Sequence, residues 1–192
     1  MDIDVLLAQR VRDLRKARSL TLAQLSALSG VSRSMISLIE RQETSPTAAV
    51  LNKLADALGI ALPTLFAGGA QPSATPLSRR ATQPAWTDPA SGYVRRQLTP
   101  PGVDAALELV EVSFPPGARV VFDSPARTVG LHQQLWVVEG AMQITLDDDA
   151  WHLVAGDCLA LVLGGRITFH NPQHTPARYV LALTHLHGSR TL

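Results

Sequence analysis

Residues 32–41 carry the side chains with the clearest capacity for recognition chemistry. If this stretch is an α-helix, its exposed face holds three hydroxyls and two guanidinium groups: Ser32, Arg33, Ser34, Ser37 and Arg41. Such groups donate hydrogen bonds to phosphate oxygens and to the edges of bases. The pattern therefore predicts a surface that contacts a nucleic acid.

The elements that must position this face are two short helices joined by a turn. Residues 22–41 read LAQLSALSGVSRSMISLIER, with apolar residues at helical spacing on both sides of Gly30. Thr21 and Ser32 are the expected N-caps, Gly30 is free to adopt positive φ in the turn, and Thr21 is a further candidate DNA contact. The arrangement predicts a helix-turn-helix whose second helix enters the major groove. The alternative is a small helical bundle without such a role.

Apolar periodicity extends this unit to five helices over residues 1–66, with a net charge of +2. We expect Val31, Ile36 and Ile39 to lock the second helix of the pair onto the first, whose inward side is Leu22, Leu25 and Leu28. Ser45-Pro46 reads as the cap and first turn of helix 4, which should run to Gly59. The inward face of helix 1 is expected at Leu7, Val11 and Leu14.

The stretch RDLRKARSLTLAQLSALSGVSRSMISLIERQETSPTAAVLNKLADALGI resembles the λ-repressor-like, xenobiotic-response-element (XRE) family. The resemblance implies a DNA-binding transcriptional regulator, and it implies an ion pair between Arg15 of helix 1 and Glu40. Two positions depart from the family pattern. Leu22 stands where many members have a Gln that contacts a phosphate, and Gln42 stands where many have Gly.

Residues 67–84, AGGAQPSATPLSRRATQP, have no periodicity and are expected to form a flexible linker. The segment 85–192 then forms a second domain. Its eight strand candidates are 105–114, 119–122, 134–139, 141–147, 150–154, 157–163, 166–171 and 177–185. Eight short strands separated by turns predict a double-sheet barrel or jelly roll.

The stretch LHQQLWVVEG at 131–140 raises the question of a metal. With PPGARVV, WHLVAGDCLALVLGG and FHNP it resembles the cupin family, which implies a double-stranded β-helix barrel. Metal-binding cupins hold the ion with three His and one Glu. Here those positions fall on or near Ala126, Thr128, Gln133 and Ile167, which are poor ligands for a transition metal. We therefore expect no metal, no cofactor and no enzymatic activity.

The interior of the barrel is expected to be an apolar cup with one amide. Its predicted lining is Gln133, Leu135, Val137, Ile167, Phe169 and Tyr179. Such a cup is typical of a small-molecule site, although the same side chains could simply fill the core. The single cysteine, Cys158, excludes an intrachain disulfide, and a buried apolar role or redox sensing is open to it.

The N-terminus lacks the basic segment of a signal peptide, and no apolar run is long enough to span a membrane. The sequence thus predicts a cytoplasmic, homodimeric regulator that binds duplex operator DNA and senses a small-molecule effector. One alternative is a metal-dependent cupin dioxygenase or isomerase fused to a DNA-binding domain. A second is a structural dimerisation domain with a filled barrel.

Overall fold

The protein is represented by a computed structural model, which describes residues 3–60, 62–66, 75–100, 103, 105–124 and 131–185. The N-terminal part is helical. Its elements are α1 (Ile3–Ala17), α2 (Leu22–Ser29), α3 (Arg33–Glu40), α4 (Ala48–Ala57) and α5 (Leu62–Phe66).

The core of the helical part confirms most of the predicted inward positions. Leu7, Val11, Leu25, Ile36 and Ile39 have at most 1% of their surface exposed, and Val31 is also buried. Leu28, however, is 61% exposed, so its predicted inward position is wrong. Leu22 and Leu28 lie on opposite sides of Leu25, each about 60° around the helix, and the neighbouring helices cover only the Leu22 side.

The predicted start of helix 4 is also wrong. The N-cap of α4 is Thr47, whose side chain accepts a hydrogen bond from the Val50 N–H at 3.3 Å. Ser45 instead donates its hydroxyl to Asp4 Oδ1 at 2.9 Å, which ties the loop before α4 to α1. A serine before a proline is a common cap signal, but here the tertiary contact takes that hydroxyl.

The remainder of the described chain is built from antiparallel strands after a short 3₁₀ helix at Arg80–Thr82. The strands are β1 (Ala85–Thr87), β2 (Val94–Gln97), β3 (Glu108–Phe114), β4 (Arg119–Ser124), β5 (Leu131–Glu139), β6 (Ala141–Leu146), β7 (Asp149–Val154), β8 (Cys158–Leu163), β9 (Gly165–His170) and β10 (Ala177–His185). The eight predicted strands are therefore present with shifted ends. The prediction missed β1 and β2, which are short and carry polar residues.

Two sheets face each other. One has the order β1-β2-β3-β10-β5-β8 and the other the order β4-β9-β6-β7. Phe169 of β9 and Tyr179 of β10 stack across the interior, with ring centroids 6.1 Å apart. Gly140 makes the β5–β6 turn with φ +77°, and a Cβ there would lie 2.8 Å from the Pro176 carbonyl oxygen. The predicted Glu139-Gly140 turn is confirmed, and its glycine is needed for both reasons.

The helical part packs directly on the sheets through α4 and α5. The Ala48 N–H at the start of α4 donates to the buried Asp88 carboxylate at 2.9 Å. The Asn52 side chain donates to the Asp123 carbonyl at 3.0 Å. Phe66 of α5 packs against Trp86 of β1, with ring centroids 5.5 Å apart. Of the predicted linker, residues 67–74 lie outside the described residues.

Candidate nucleic-acid interface and interdomain cavity

The turn between α2 and α3 is fixed by local hydrogen bonds at both helix ends. Thr21 and Gln24 form a reciprocal capping box at the start of α2, which confirms Thr21 as an N-cap. Gly30 ends α2 with φ +68°, and its N–H donates to the Ser26 carbonyl at 2.9 Å. Ser32 caps α3 by accepting from the Met35 N–H at 3.2 Å. The chain therefore enters α3 at a defined angle.

The predicted contact residues lie together on the outside of this unit. Thr21, Ser32, Arg33, Ser34 and Arg41 are exposed, and Ser37 is half-buried. The Ser32 and Ser34 hydroxyls are 3.1 Å apart. The face thus presents hydroxyl and guanidinium donors from α3 and its flanking residues, which is the chemistry that a phosphate backbone or a base edge requires.

Arg41 is held by its neighbours. Its Nε and Nη2 atoms donate to the two Glu43 carboxylate oxygens at 2.7 and 3.0 Å, and Nη1 donates to Ser37 Oγ at 3.1 Å. Hydrogen bonding from Arg41 lowers the pKa of Glu43, so this carboxylate is ionised at neutral pH. The sequence analysis missed this pair, which offsets part of the positive charge at the end of α3.

Glu40 and Arg15 join α3 to α1. Arg15 Nε and Nη2 donate to the two Glu40 oxygens at 2.6 and 2.7 Å, and Nη1 donates to the Leu20 carbonyl at 2.8 Å. The hydrogen bond to Glu40 raises the pKa of Arg15. Both side chains are nearly buried, with 12% and 8% of their surface exposed. A bidentate pair of this kind fixes orientation as well as distance.

A cavity of about 80 Å³ lies between the two sheets and the helices α4 and α5. Of the predicted lining residues, Gln133, Ile167, Phe169 and Tyr179 border it. Leu135 and Val137 do not border it, although both side chains are fully buried. The sequence therefore located part of the lining on each of the two sheets.

Further residues that border the cavity come from elements that the sequence analysis did not connect to it. Arg95 and Tyr93 reach it from the region of β2, and Asn52 and Asp56 reach it from α4. The four residues of β2, VRRQ at 94–97, show no apolar alternation, so the sequence carried no signal for this strand or for the inward position of Arg95.

The ionisable groups around the cavity are strongly affected by burial. Burial lowers the pKa of Arg95, and the Glu108 carboxylate acts in the opposite direction. Burial also raises the pKa values of Tyr93 and Tyr179, so both hydroxyls keep their protons. It raises the pKa of Asp56 to about 6. The Arg95 guanidinium lies 4.8 Å from the centre of the Phe66 ring of α5.

The described residues contain no group of three or more His, Cys, Asp and Glu side chains placed to hold a metal ion. Ala126 and Thr128, two of the positions aligned with metal ligands, lie outside the described residues. His170 pairs with Gln143 at 3.4 Å. Cys158 is exposed on β8, so its expected burial is wrong: alternation along the strand turns it to the outer side of the sheet.

Comparison with known proteins gives a consistent result. Residues 11–65 match the HTH_3 helix-turn-helix family model. The HTH-type transcriptional regulator SutR of Escherichia coli (strain K12) is 28% identical over 151 residues, 79% of each chain. The control protein C.SmaI of Serratia marcescens is 40% identical over 66 residues, which cover 34% of this chain and 79% of that protein. The crystal structure of an HTH_3 family transcriptional regulator from Vibrio cholerae has a TM-score of 0.72 at 24% identity, covering 95% of this chain and 97% of that one.

Fold and site together define a helix-turn-helix protein that carries an antiparallel β domain. The chain belongs to the XRE-type helix-turn-helix family of DNA-binding transcriptional regulators. Among the described helices, none has the length and apolar character needed to cross a membrane.

Proposed function

We propose that the protein is a homodimeric, cytoplasmic regulator that reads an operator through α3 and responds to a small molecule in the interdomain cavity. The observation that carries the proposal is the exposed Ser- and Arg-rich face of α3, oriented on α1 by the Arg15–Glu40 pair. The inner face of α3 is apolar and packs into the helical core. Its outer face can therefore contact DNA without any loss of core packing.

Within this proposal the residues of α3 have different roles. Arg33 is exposed in the first turn of α3, the part of a recognition helix that contacts base edges. Ser32 and Thr21 lie at helix N-termini, where hydroxyls and N–H groups meet phosphates. Ser34, Ser37 and Arg41 then extend the contact along the same side.

The β domain supplies the proposed dimer contact through the outer face of its larger sheet. Trp136 of β5 is 50% exposed there, and Val162 of the edge strand β8 is 54% exposed. Trp136 pairs with Cys158 of β8 and Val162 pairs with His132 of β5, so Trp136 and Val162 lie on the same face of the sheet, four residues apart along the strands. A second copy is the expected partner, because an isologous contact matches this apolar face with itself. It would place two α3 helices over half-sites about 34 Å apart.

The cavity is the proposed effector site, and it is well placed to influence DNA binding. It is bordered by β strands on one side and by Asn52, Asp56, Leu62 and Pro63 on the other, so a ligand would touch both halves of the chain. We further propose that the two facing sheets form the closed double-stranded β-helix barrel of cupins. The helical part is proposed to be the five-helix λ-repressor-like unit.

Operator binding is tested with full-length Arg33→Ala in gel-shift or anisotropy assays. We expect a loss of about 1–3 kcal/mol on specific DNA if Arg33 contacts a base pair. The matched control is Arg12→Ala, which removes an exposed arginine from α1. Equal weakening on operator and random DNA would assign Arg33 to a phosphate, and equal effects of the two variants would remove α3 from the interface.

Dimerisation is tested with Trp136→Glu in sedimentation equilibrium. We expect the variant to be monomeric at micromolar concentration, because a carboxylate would be desolvated at the centre of the contact. Val154→Glu is the matched control, since Val154 is 59% exposed on β7 of the other sheet. A monomeric wild type, or a dimer in both variants, would contradict the proposed surface.

A further inference from the structure

Two side chains that border the interdomain cavity carry three buried hydrogen-bond donors without acceptors. Arg95 and Gln133 both border it, and only 6% and 3% of their surfaces are exposed. The Nε and Nη2 atoms of Arg95 and the Nε2 atom of Gln133 have no hydrogen-bond partner within the described part of the chain. Buried donors are rarely left without an acceptor in native proteins, so these donors call for an explanation.

The nearby acid does not provide that acceptor. Glu108 favours the charged form of Arg95, but its Oε1 accepts from Gln97 Nε2 at 2.6 Å. Phe66 gives the guanidinium a π face, which stabilises a cation without accepting its in-plane N–H groups. The deficit is therefore specific: the Arg95 donors need an acceptor. The Asp56 carboxyl group also borders the cavity, with its pKa raised by burial to about 6, but it is not the partner of these donors.

The chemistry of these donors favours a carboxylate. Its two oxygens match the fork of the Arg95 guanidinium. A single negative charge balances the single charge of Arg95, whereas a phosphate dianion would bring a second charge into an apolar enclosure. Phe122, Ile167, Leu181 and Leu183 border the cavity and suit a short hydrocarbon body.

We propose that the interdomain cavity binds a small monocarboxylate, with its oxygens on Arg95 and its apolar body toward the apolar side chains of β4, β9 and β10. The inference rests on the proposed effector function and gives the chemical class of the effector. The volume of about 80 Å³ limits the ligand to a few heavy atoms.

The position of Arg95 connects such a ligand to the helices. Its guanidinium packs on Phe66 at the end of α5, and the cavity is also bordered by Leu62 and Pro63 of the same helix. A carboxylate that binds Arg95 thus fixes the group on which α5 rests. Binding strengthens the docking of the helical part on the β domain, and it does so without touching α3.

The test is calorimetric titration of the full-length protein, without DNA, with butyrate, butyramide and butylamine. These probes have the same hydrocarbon body and differ in charge and in hydrogen-bonding groups. We expect butyrate to bind at least about tenfold more tightly than either of the others, because only the carboxylate supplies a charged, bidentate acceptor. Equal binding of butyrate and butyramide, or preference for butylamine, would overturn the proposal.

Variants locate the site. Arg95→Met should weaken butyrate binding at least about tenfold, while Arg96→Met should leave it unchanged. Arg96 is the matched control because it lies next along β2 and pairs with Glu111 at 3.4 Å. If Arg95→Met fails to fold by circular dichroism, Arg95→Lys decides: it retains the positive charge without the guanidinium fork and should lower affinity severalfold. Unchanged binding in the folded variants would overturn the assignment.

Operator binding, measured with the same preparation, distinguishes a failure of the carboxylate inference from a failure of the proposed regulatory function. At about 20 mM butyrate, even weak binding raises the melting temperature. If the wild type binds operator DNA but shows no butyrate binding at that concentration, the carboxylate inference fails and the proposed regulatory function stands. If it binds butyrate but no DNA, the proposed regulatory function fails and the ligand class stands.

Discussion

Gln42 occupies a backbone conformation that favours glycine, so Gln42→Gly should stabilise the protein. The residue follows α3 with φ 64°. Its N–H donates to the Ile39 carbonyl and the Glu43 N–H donates to the Leu38 carbonyl, both at 2.9 Å. These two bonds are the Schellman arrangement that ends many helices, with glycine as its usual left-handed residue.

The magnitude follows from two opposing terms. A residue with a Cβ loses about 1–2 kcal/mol in the left-handed conformation. Glycine avoids that cost, but its greater conformational freedom in the unfolded chain lowers the gain in stability by about 0.4–1 kcal/mol. The expected net gain for Gln42→Gly is therefore about 0.8 kcal/mol. The Gln42 side chain is exposed, so its removal contributes little to the balance.

Urea unfolding followed by circular dichroism measures the effect as a shift of the midpoint at constant slope. Gln42→Ala should leave stability nearly unchanged, because it removes the side chain and keeps the Cβ. Gly30→Ala is the mirror control: φ is +68° and a Cβ there meets nothing within 4 Å, so only backbone strain is added. If Gly30→Ala destabilises as expected but Gln42→Gly does not stabilise, the reasoning is refuted.

Three further predictions concern charged groups. Glu43→Gln should release Arg41 toward DNA, which should raise the affinity for DNA and steepen its salt dependence by about 0.9 in the log–log slope. An unchanged slope in gel shifts would show that Arg41 contacts no phosphate. Burial raises the pKa of Asp56 from 3.8 to about 6. The native state thus binds this proton more tightly than the unfolded state, and stability should fall as pH rises through that interval and level off above it. Asp56→Asn should remove the fall in urea titrations, and a persisting fall would assign it to another group. Arg15→Ala and Glu40→Ala should couple by about 0.5–3 kcal/mol in a double-mutant cycle, whereas additive losses would mean that the pair does not stabilise the fold.

The helical part was largely predictable because its signals are local. The capping box at Thr21, the left-handed Gly30 and the Ser32 cap each depend on residues within four positions of one another. The errors came from tertiary contacts. Ser45 gave its hydroxyl to Asp4, and Leu28 was left without a neighbour to cover it.

The cavity was only half predictable, for a reason of topology. Gln133 and Ile167 lie in strong apolar strands whose inward direction follows from alternation. Arg95 lies in a four-residue strand, and a charged residue in a short polar run is ordinarily solvated. Its burial depends on Phe66, which is 29 residues earlier and belongs to the other half of the chain. Sequence patterning cannot reveal such a pairing.

The hydrogen bond that caps α4 joins the Ala48 N–H to the Asp88 carboxylate, so it cannot form until residue 88 has been synthesised. Ala48 leaves the ribosome 40 residues before its acceptor. At about 5–20 residues per second the carboxylate follows roughly 2–8 s later. During that interval water must satisfy the first N–H of α4, and the side of α4 and α5 that will meet the sheets stays uncovered. The helices that carry and orient α3 are therefore synthesised before the strands on which α4 and α5 pack.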